Sequence, residues 1–240
     1  MQTSRPLAAR LVQPEDNRLL AALQQSDWRH WQPALEPVNL EFGQVLCEPG
    51  RTQRHLYFPT GAVVSLVQGI ACGASAEIAV VGSEGFVGAG LLLGGDSTTS
   101  RSEVQMPGMI FRVSVLAAQD AFDRSLAVWR LLLRSMQALM AQTTVCNLHH
   151  TLEQQLCRHL LMCLDVVLGS ELLMTQELIA HSLGVRREGV TEAALSLQAA
   201  GLIGCTRGRV AILERAGLAQ RSCDCYAVVR NECDRLIGVP

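Results

Sequence analysis

Residues 172–202, LLMTQELIAHSLGVRREGVTEAALSLQAAGL, hold the side chains best suited to chemistry in this chain. Arg186, Arg187 and Glu188 open a segment of helical spacing, and Thr191 and Glu192 follow one turn later. An arginine donates two bonds to guanine O6 and N7 and a glutamate accepts from cytosine N4, each match discriminating by about 1–3 kcal/mol. Two arginines at a helix start oppose the helix dipole, so an anionic partner explains them better than helix stability does. Base reading is therefore assigned to Arg187, Glu188, Arg186, Thr191 and Glu192. Just upstream, Thr175 can cap a short helix over 176–183 whose apolar face is Leu178, Ile179 and Leu183. Thr175 also counts among the phosphate contacts. Gly184 stands where a left-handed residue makes the turn of a helix-turn-helix. Ala180 is small enough for a close crossing, and the second helix, from near 186 to 199, buries Val190, Ala193, Ala194 and Leu197.

Residues 202–213, LIGCTRGRVAIL, place apolar runs on both sides of Arg207-Gly208, a tight hairpin turn. Arg207 and Arg209 at its tip can hold phosphate, as the wing of a winged helix does. Between His181 and Arg215 five arginines face three glutamates, a local net charge of +2 in a chain of formal charge −2. A footprint that small predicts salt-sensitive binding, weak for a monomer. The plainer reading is a solvated charged helix in an α-helical module. Turn, reader residues and wing occurring together and in order argue against it.

The rest of the chain must position these groups. It has 240 residues, 49% of them apolar, but aromatics are only 4%, so its core is aliphatic. That length supports one large domain or two modest ones. All twenty basic residues are arginine, which excludes Schiff-base chemistry and a P-loop lysine. The start, MQTSRPLAARLVQPEDN, lacks the apolar run of a secretory signal, and the longest uncharged stretch, 55–76, is broken by Pro59, Gly61 and Gly69. The expectation is a cytoplasmic protein without a membrane partner, its nine cysteines thiols rather than a disulfide framework. No GxSxG, HExxH or P-loop pattern occurs, so no catalytic residues are assigned.

Turn residues divide the chain. Twelve of the twenty glycines lie between Gly43 and Gly108, and no proline occurs from Gly108 to Val239. Strands are expected at 38–42, 45–46, 56–58, 62–67, 77–81, 104–106 and 109–113, the pattern of a β-roll, after two helices at 15–23 and 27–35, the latter capped by Ser26 or Asp27. A long helix is expected from about 121 to 149. Heptad spacing puts Leu126, Leu133, Met140 and Asn147 at a and Trp129, Met136, Thr143 and His150 at d, a seam for a second copy of the chain. A second stripe, Val128, Leu132, Leu139 and Cys146, could pack on the roll; one wide core face is the plainer alternative. Thr151 and Gln154 form a capping box for a helix over 152–168 that Gly169 ends. The expected fold is α+β: a double-stranded, jelly-roll-like β-roll with its dimerisation helix (about 121–150) over residues 1–150. A winged helix-turn-helix with a helical tail follows over 151–240.

This arrangement resembles the Crp/Fnr family of transcription regulators across about residues 15–215. The strongest match is TQELIAHSLGVRREGVTEAALSLQAAGLI, with weaker ones in EFGQVLCEPG, GSEGFVG and HTLEQQLCRHLL. The resemblance implies a sensor roll, a homodimer on a palindromic double-stranded DNA site, and contact with RNA polymerase. It places Arg187 and Glu188 on the family's base-reading Arg-Glu pair. Thr191-Glu192 replaces the usual third reader, so the half-site should differ from the family consensus. In the family's nucleotide pocket a Gly-Glu turn holds the ribose and an Arg-Ser pair the cyclic phosphate. Here the candidate pocket residues are Gly88, Ala89, Arg101 and Ser102. Ala89 stands in place of the ribose-binding Glu, and an unpaired buried hydroxyl costs about 1–3 kcal/mol, which argues against tight binding of a cyclic nucleotide.

No cysteine precedes Cys47, so the family's N-terminal iron–sulfur centre is not expected. Cys146 and His149 could share a metal, although a core thiol beside a surface imidazole is the plainer reading. Cys223-Asp224-Cys225 is too close for a CxxC clip; it reads as a regulatory thiol pair or, more plainly, two inert thiols. No metal or other cofactor is assigned. The rival function is a ligand- or redox-sensing module whose winged helix contacts protein rather than DNA.

Overall fold

The structure, a computed structural model, describes residues 12–69, 75–95, 97–142, 149–167 and 169–238. Two short helices open it, α1 (Arg18–Ala21) and α2 (Gln25–Trp31). Asn17 explains the first. Its Oδ1 accepts from the Leu19 and Leu20 amides, while Nδ2 donates to the carbonyls of Pro59 (2.8 Å) and Gly85 (3.0 Å), so one buried side chain caps α1 and ties it to the roll. The second helix starts earlier than its sequence suggests, at an extended Gln24 rather than at Ser26 or Asp27.

The roll consists of two antiparallel sheets. One has the order β1 (Glu36–Leu40), β7 (Gly108–Ser114), β3 (His55–Pro59). The other runs β2 (Val45–Cys47), β6 (Ser100–Met106), β4 (Val63–Gly69), β5 (Ser75–Val81). Each expected strand is present, shifted or extended by a few residues. Between the sheets pack Leu40, Ala62, Val64, Val81, Val104 and Ile110, all aliphatic as the composition requires. A short helix α3 (Ala89–Leu92) follows the left-handed Gly88.

The expected single helix from 121 is two helices. α4 (Val115–Arg124) ends at Ser125, which is extended, and α5 (Leu126–Gln142) starts there. The Ser125 hydroxyl accepts from the Val128 amide at 3.4 Å, so a serine that competes with the backbone for hydrogen bonds makes the break. On α5 the two stripes separate. Val128 and Leu132 are 1% and 2% exposed against the roll and α4, whereas Leu126, Leu133 and Met140 are 60%, 37% and 73% exposed. Trp129 packs on Phe122 and Met136 is half-buried on its own chain. Thr143, Cys146 and Asn147 lie outside the described residues, and His150 is not on α5, which ends at Gln142, but immediately ahead of the Thr151 cap of the next helix.

The capping box of Thr151 and Gln154 opens α6 (Leu152–Asp165), which ends three residues before the expected 168. Then come β8 (Glu171–Leu172), α7 (Gln176–Leu183), α8 (Arg187–Ala199), β9 (Ile203–Thr206), β10 (Arg209–Ile212), α9 (Arg215–Arg221) and α10 (Asp224–Ile237). The largest apolar core runs across the expected boundary at 150/151: Val63, Val80 and Met106 of the roll pack with Leu160, Leu164, Ile179 and Leu183. The tail helix α10 folds back, its Leu236 and Ile237 packing with Trp31, Phe86 and Ala138.

A buried polar cluster sits where β5, α6 and α7 meet. Glu77 and His159 have side chains 6% and 5% exposed, with Oε1 and Nδ1 3.3 Å apart. The Ser65 hydroxyl donates to Glu77 Oε2, as does the Ser182 hydroxyl at 3.2 Å; Gln105 Nε2 donates to Ser182 Oγ at 3.4 Å. Burial opposes a charge on His159, but the neighbouring Cys163 sulfur and Glu77 carboxylate outweigh it and hold the imidazole pKa well above its usual value. The pair thus contributes fully below about pH 6.5, the ordinary value in an unfolded chain, and that contribution is lost as pH rises through the raised folded value. Thermal unfolding against pH should therefore show an alkaline fall that His159→Gln removes. At pH 6, Glu77→Ala should lose about 3–5 kcal/mol of stability by chemical denaturation, because it strands a buried charge.

Candidate nucleic-acid interface

The helix-turn-helix is built by local rules. Thr175 Oγ1 accepts from the Leu178 amide at 3.1 Å and caps α7, leaving its own hydroxyl hydrogen to donate outward. Gly184 adopts φ 66° and ψ 32°, and the Val185 amide donates back to the Ala180 carbonyl at 3.0 Å, closing the turn. Arg186 is the extended N-cap of α8 and supplies no side-chain cap, so the first-turn amides keep donor capacity at the positive end of a 13-residue helix.

On α8, Val190, Ala193, Ala194 and Leu197 face the core, as expected. Arg187, Glu188 and Glu192 are exposed on the opposite face and Thr191 is half-exposed beside them, with Arg186 exposed at the helix start. The structure thus brings all five expected base readers onto one accessible surface. Two of them already have partners. Arg187 Nε lies 3.8 Å from Glu177 Oε2, an exposed and weak pairing that an external anion can displace. The Thr191 hydroxyl donates its one hydrogen to Gln176 Oε1 at 2.8 Å, with the Arg187 carbonyl at 3.1 Å as the alternative acceptor, so it braces α8 against α7.

The wing is a two-residue hairpin between β9 and β10, with Gly208 at φ 76°. Arg207 is exposed in its turn and makes no ion pair among the described residues. Arg209 is bound to Glu171 of β8 at 3.1 Å, on the third strand of the small sheet. Among the described residues, Arg207 presents an uncompensated cation at the tip and Arg209 does not; sequence spacing treats the two alike.

The four expected pocket residues occupy different kinds of position. Gly88 and Ala89 begin α3, and a side chain at Gly88 would strike Leu56. Arg101 and Ser102 fall inside β6, not in a turn ahead of a strand, because the strand begins at Ser100. Adjacent residues of a strand point to opposite faces. Arg101 already lies 3.7 Å from Glu48 and 3.4 Å from Glu103, while Ser102 is buried in the sheet. A separate cavity of about 190 Å³ opens between the roll and α10, lined by Arg18, Glu84, Asp165, Tyr226 and Arg230 among others. Desolvation raises the pKa of Glu84 there.

Sequence reasoning missed one positioning residue. A Cβ on Gly189 would lie 2.8 Å from Leu152 Cδ2, the far end of a flexible side chain, so any larger residue at 189 requires Leu152 to shift where α8 meets α6. The signal was a glycine in the first turns of a helix, where its propensity cost calls for a packing reason.

Residues 154–221 match the Crp-like helix-turn-helix domain. No curated protein matches the chain. Several solved structures share its fold. A CRP-family transcriptional regulator from Thermus thermophilus is 22% identical with a TM-score of 0.65, the alignment covering 77% of this chain and 96% of that one. The c-di-GMP responsive global regulator CLP of Xanthomonas campestris is 17% identical (TM-score 0.63, 79% and 99% covered). FixK2 from Bradyrhizobium japonicum is 14% identical (TM-score 0.62, 79% and 98% covered). Gly189→Ala should change stability by less than about 1 kcal/mol by denaturant unfolding, because the helix propensity gained offsets the shift of Leu152. Ser196→Val, on the exposed face of the same helix, should stay within about 0.5 kcal/mol of the parent.

Proposed function

With a Crp-like helix-turn-helix domain set on the fold of the Crp/Fnr transcription regulators, this chain, we propose, is a sequence-specific DNA-binding regulator that works as a homodimer on a palindromic site. The observation that carries this reading is the exposed N-terminal face of α8, where Arg186, Arg187, Glu188 and Glu192 project together. That end of a recognition helix enters the major groove, and a two-fold dimer spaces its two copies about 34 Å apart, one turn of B-DNA. Arg187 and Glu188 read base edges; Arg186 reads or holds phosphate. Thr175 and Arg207 hold the backbone, with Arg209 joining them when its bond to Glu171 exchanges for phosphate.

Leu126, Leu133 and Met140, spaced by seven and exposed on α5, support a self-association seam. The roll acts as the sensor: α7 is bonded to β5 through Ser182 and Glu77, so a shift of the roll reaches the reading helix without passing through a flexible linker. RNA polymerase is the further partner that the family resemblance implies.

Selection of bound fragments from a random DNA pool tests the reading. The parent should recover a palindromic motif and Arg187→Ala should recover none. Failure of both proteins to enrich any motif, with or without candidate effectors, would overturn it. Arg207→Ala should weaken binding about equally on all sequences and lower the salt slope by about 1 per protomer. In sedimentation, Leu133→Glu combined with Met140→Glu should convert a dimer into a folded monomer.

A further inference from the structure

One group of side chains lies apart from the reading surface and takes no part in it. His150 immediately precedes the cap of α6, at the end of the sensor half, whereas Cys223 caps α10 and Cys225 lies in its first turn. Seventy-odd residues of chain separate them, yet the fold brings His150 Nδ1 to 3.8 Å from Cys225 Sγ, and the ligand atoms of all three lie within 4.8 Å of one another. Cys223 is buried and the other two are half-buried, so the cluster has a walled side and an open side. We propose that His150, Cys223 and Cys225 form a metal site for a thiophilic ion of the zinc(II) class.

Donor type, spacing and support each point this way. Two sulfurs and an imidazole are ligands that borderline-soft ions prefer over the oxygen donors magnesium and calcium need. Zinc–sulfur and zinc–nitrogen bonds of about 2.3 and 2.0–2.1 Å put tetrahedral ligand atoms about 3.4–3.8 Å apart, so side-chain rotations of an ångström or less close the set. The sequence objection to Cys223-Asp224-Cys225 applies to a CxxC clip acting alone; a third ligand from another element removes it. The backbone under the imidazole is fixed, because Gln155 Nε2 donates to the His150 carbonyl at 2.8 Å. The ligands are deprotonated on binding: both thiols release their protons to solvent, the imidazole binds neutral, and no electron moves. The first-turn amides of α10 lie beside the resulting thiolate charge. Three protein ligands leave a fourth tetrahedral position for solvent or an external donor. A bound ion would pin the start of α10 to the start of α6, the junction between the roll's helices and the reading domain.

The assignment stands independently of DNA binding and is tested without it. The full-length protein, reduced and stripped with a chelator, is titrated with cobalt(II), then with zinc(II) against a competing chromophoric chelator. The expected result is one ion per chain, with thiolate-to-cobalt charge transfer and intense visible d–d bands that zinc displaces. Cys225→Ser and His150→Ala, both at half-buried positions, should keep the parent's circular dichroism. Each should weaken zinc binding by more than about a hundredfold, beyond the 10–100-fold typical of losing a group that only orients a ligand. Cys205→Ser, on the wing sheet, should bind as the parent does. Absence of the charge-transfer band, its persistence in the Cys225→Ser, His150→Ala double variant, or its loss in Cys205→Ser would overturn the assignment. So would a protein that takes no cobalt when reduced and that, exposed to dissolved oxygen as oxidant, closes Cys223 and Cys225 into a disulfide.

Discussion

Glu77 is a carboxylate shut away from water where a strand of the roll, the helix that opens the second half and the first helix of the helix-turn-helix all meet. A charge in that place is tolerable only if every lone pair is met, and His159, Ser65 and Ser182 meet it from three different elements. The consequence is geometric. Displacing α7 from β5 would strand the carboxylate, so the orientation of the reading domain on the roll is set by a polar constraint as well as by the apolar contact of Val63, Val80 and Met106 with α6 and α7. Apolar packing alone tolerates sliding; a satisfied buried charge does not.

From that anchor the exposed face of α8 follows by short steps. Gly184 turns the chain between α7 and α8, Thr191 bonds back to Gln176 across the turn, and Gly189 of α8 packs against Leu152. The residues left on the outer face are the charged ones. Their exposure is thus the counterpart of the burial of Val190, Ala193, Ala194 and Leu197 one helical face away. At the wing the same separation of roles appears between neighbours: Arg209 is engaged by Glu171 and Arg207 is not.

The tail helix gives the molecule a second tie between its halves. α10 starts against His150 and ends with Leu236 and Ile237 packed into the core formed by the roll, α4 and α5. It leaves Leu126, Leu133 and Met140 of α5 exposed. The roll and the helix-turn-helix half are joined by a buried ion pair, an apolar core and a returning helix, a coupling that suits the proposed transmission of a change in the roll to α8.

By itself the sequence determined what local physics controls. Thr175, Thr151 with Gln154, and Gly184 act through hydrogen bonds that span three to five residues, so the caps, the turn and the two helices between them were legible with their boundaries nearly right. Alternation and glycine spacing gave the strands for the same reason. The break at Ser125 escaped because one serine can sit inside a helix or cap the next, and packing chooses. Only the tertiary structure decided which polar side chains meet. Glu77 with His159, Arg209 with Glu171, and His150 with Cys223 and Cys225 are separated by tens of residues, and no periodicity links their positions. Whether a titratable side chain is buried, paired or free depends on how whole elements pack, and that information resides in three-dimensional neighbours rather than in spacing along the chain.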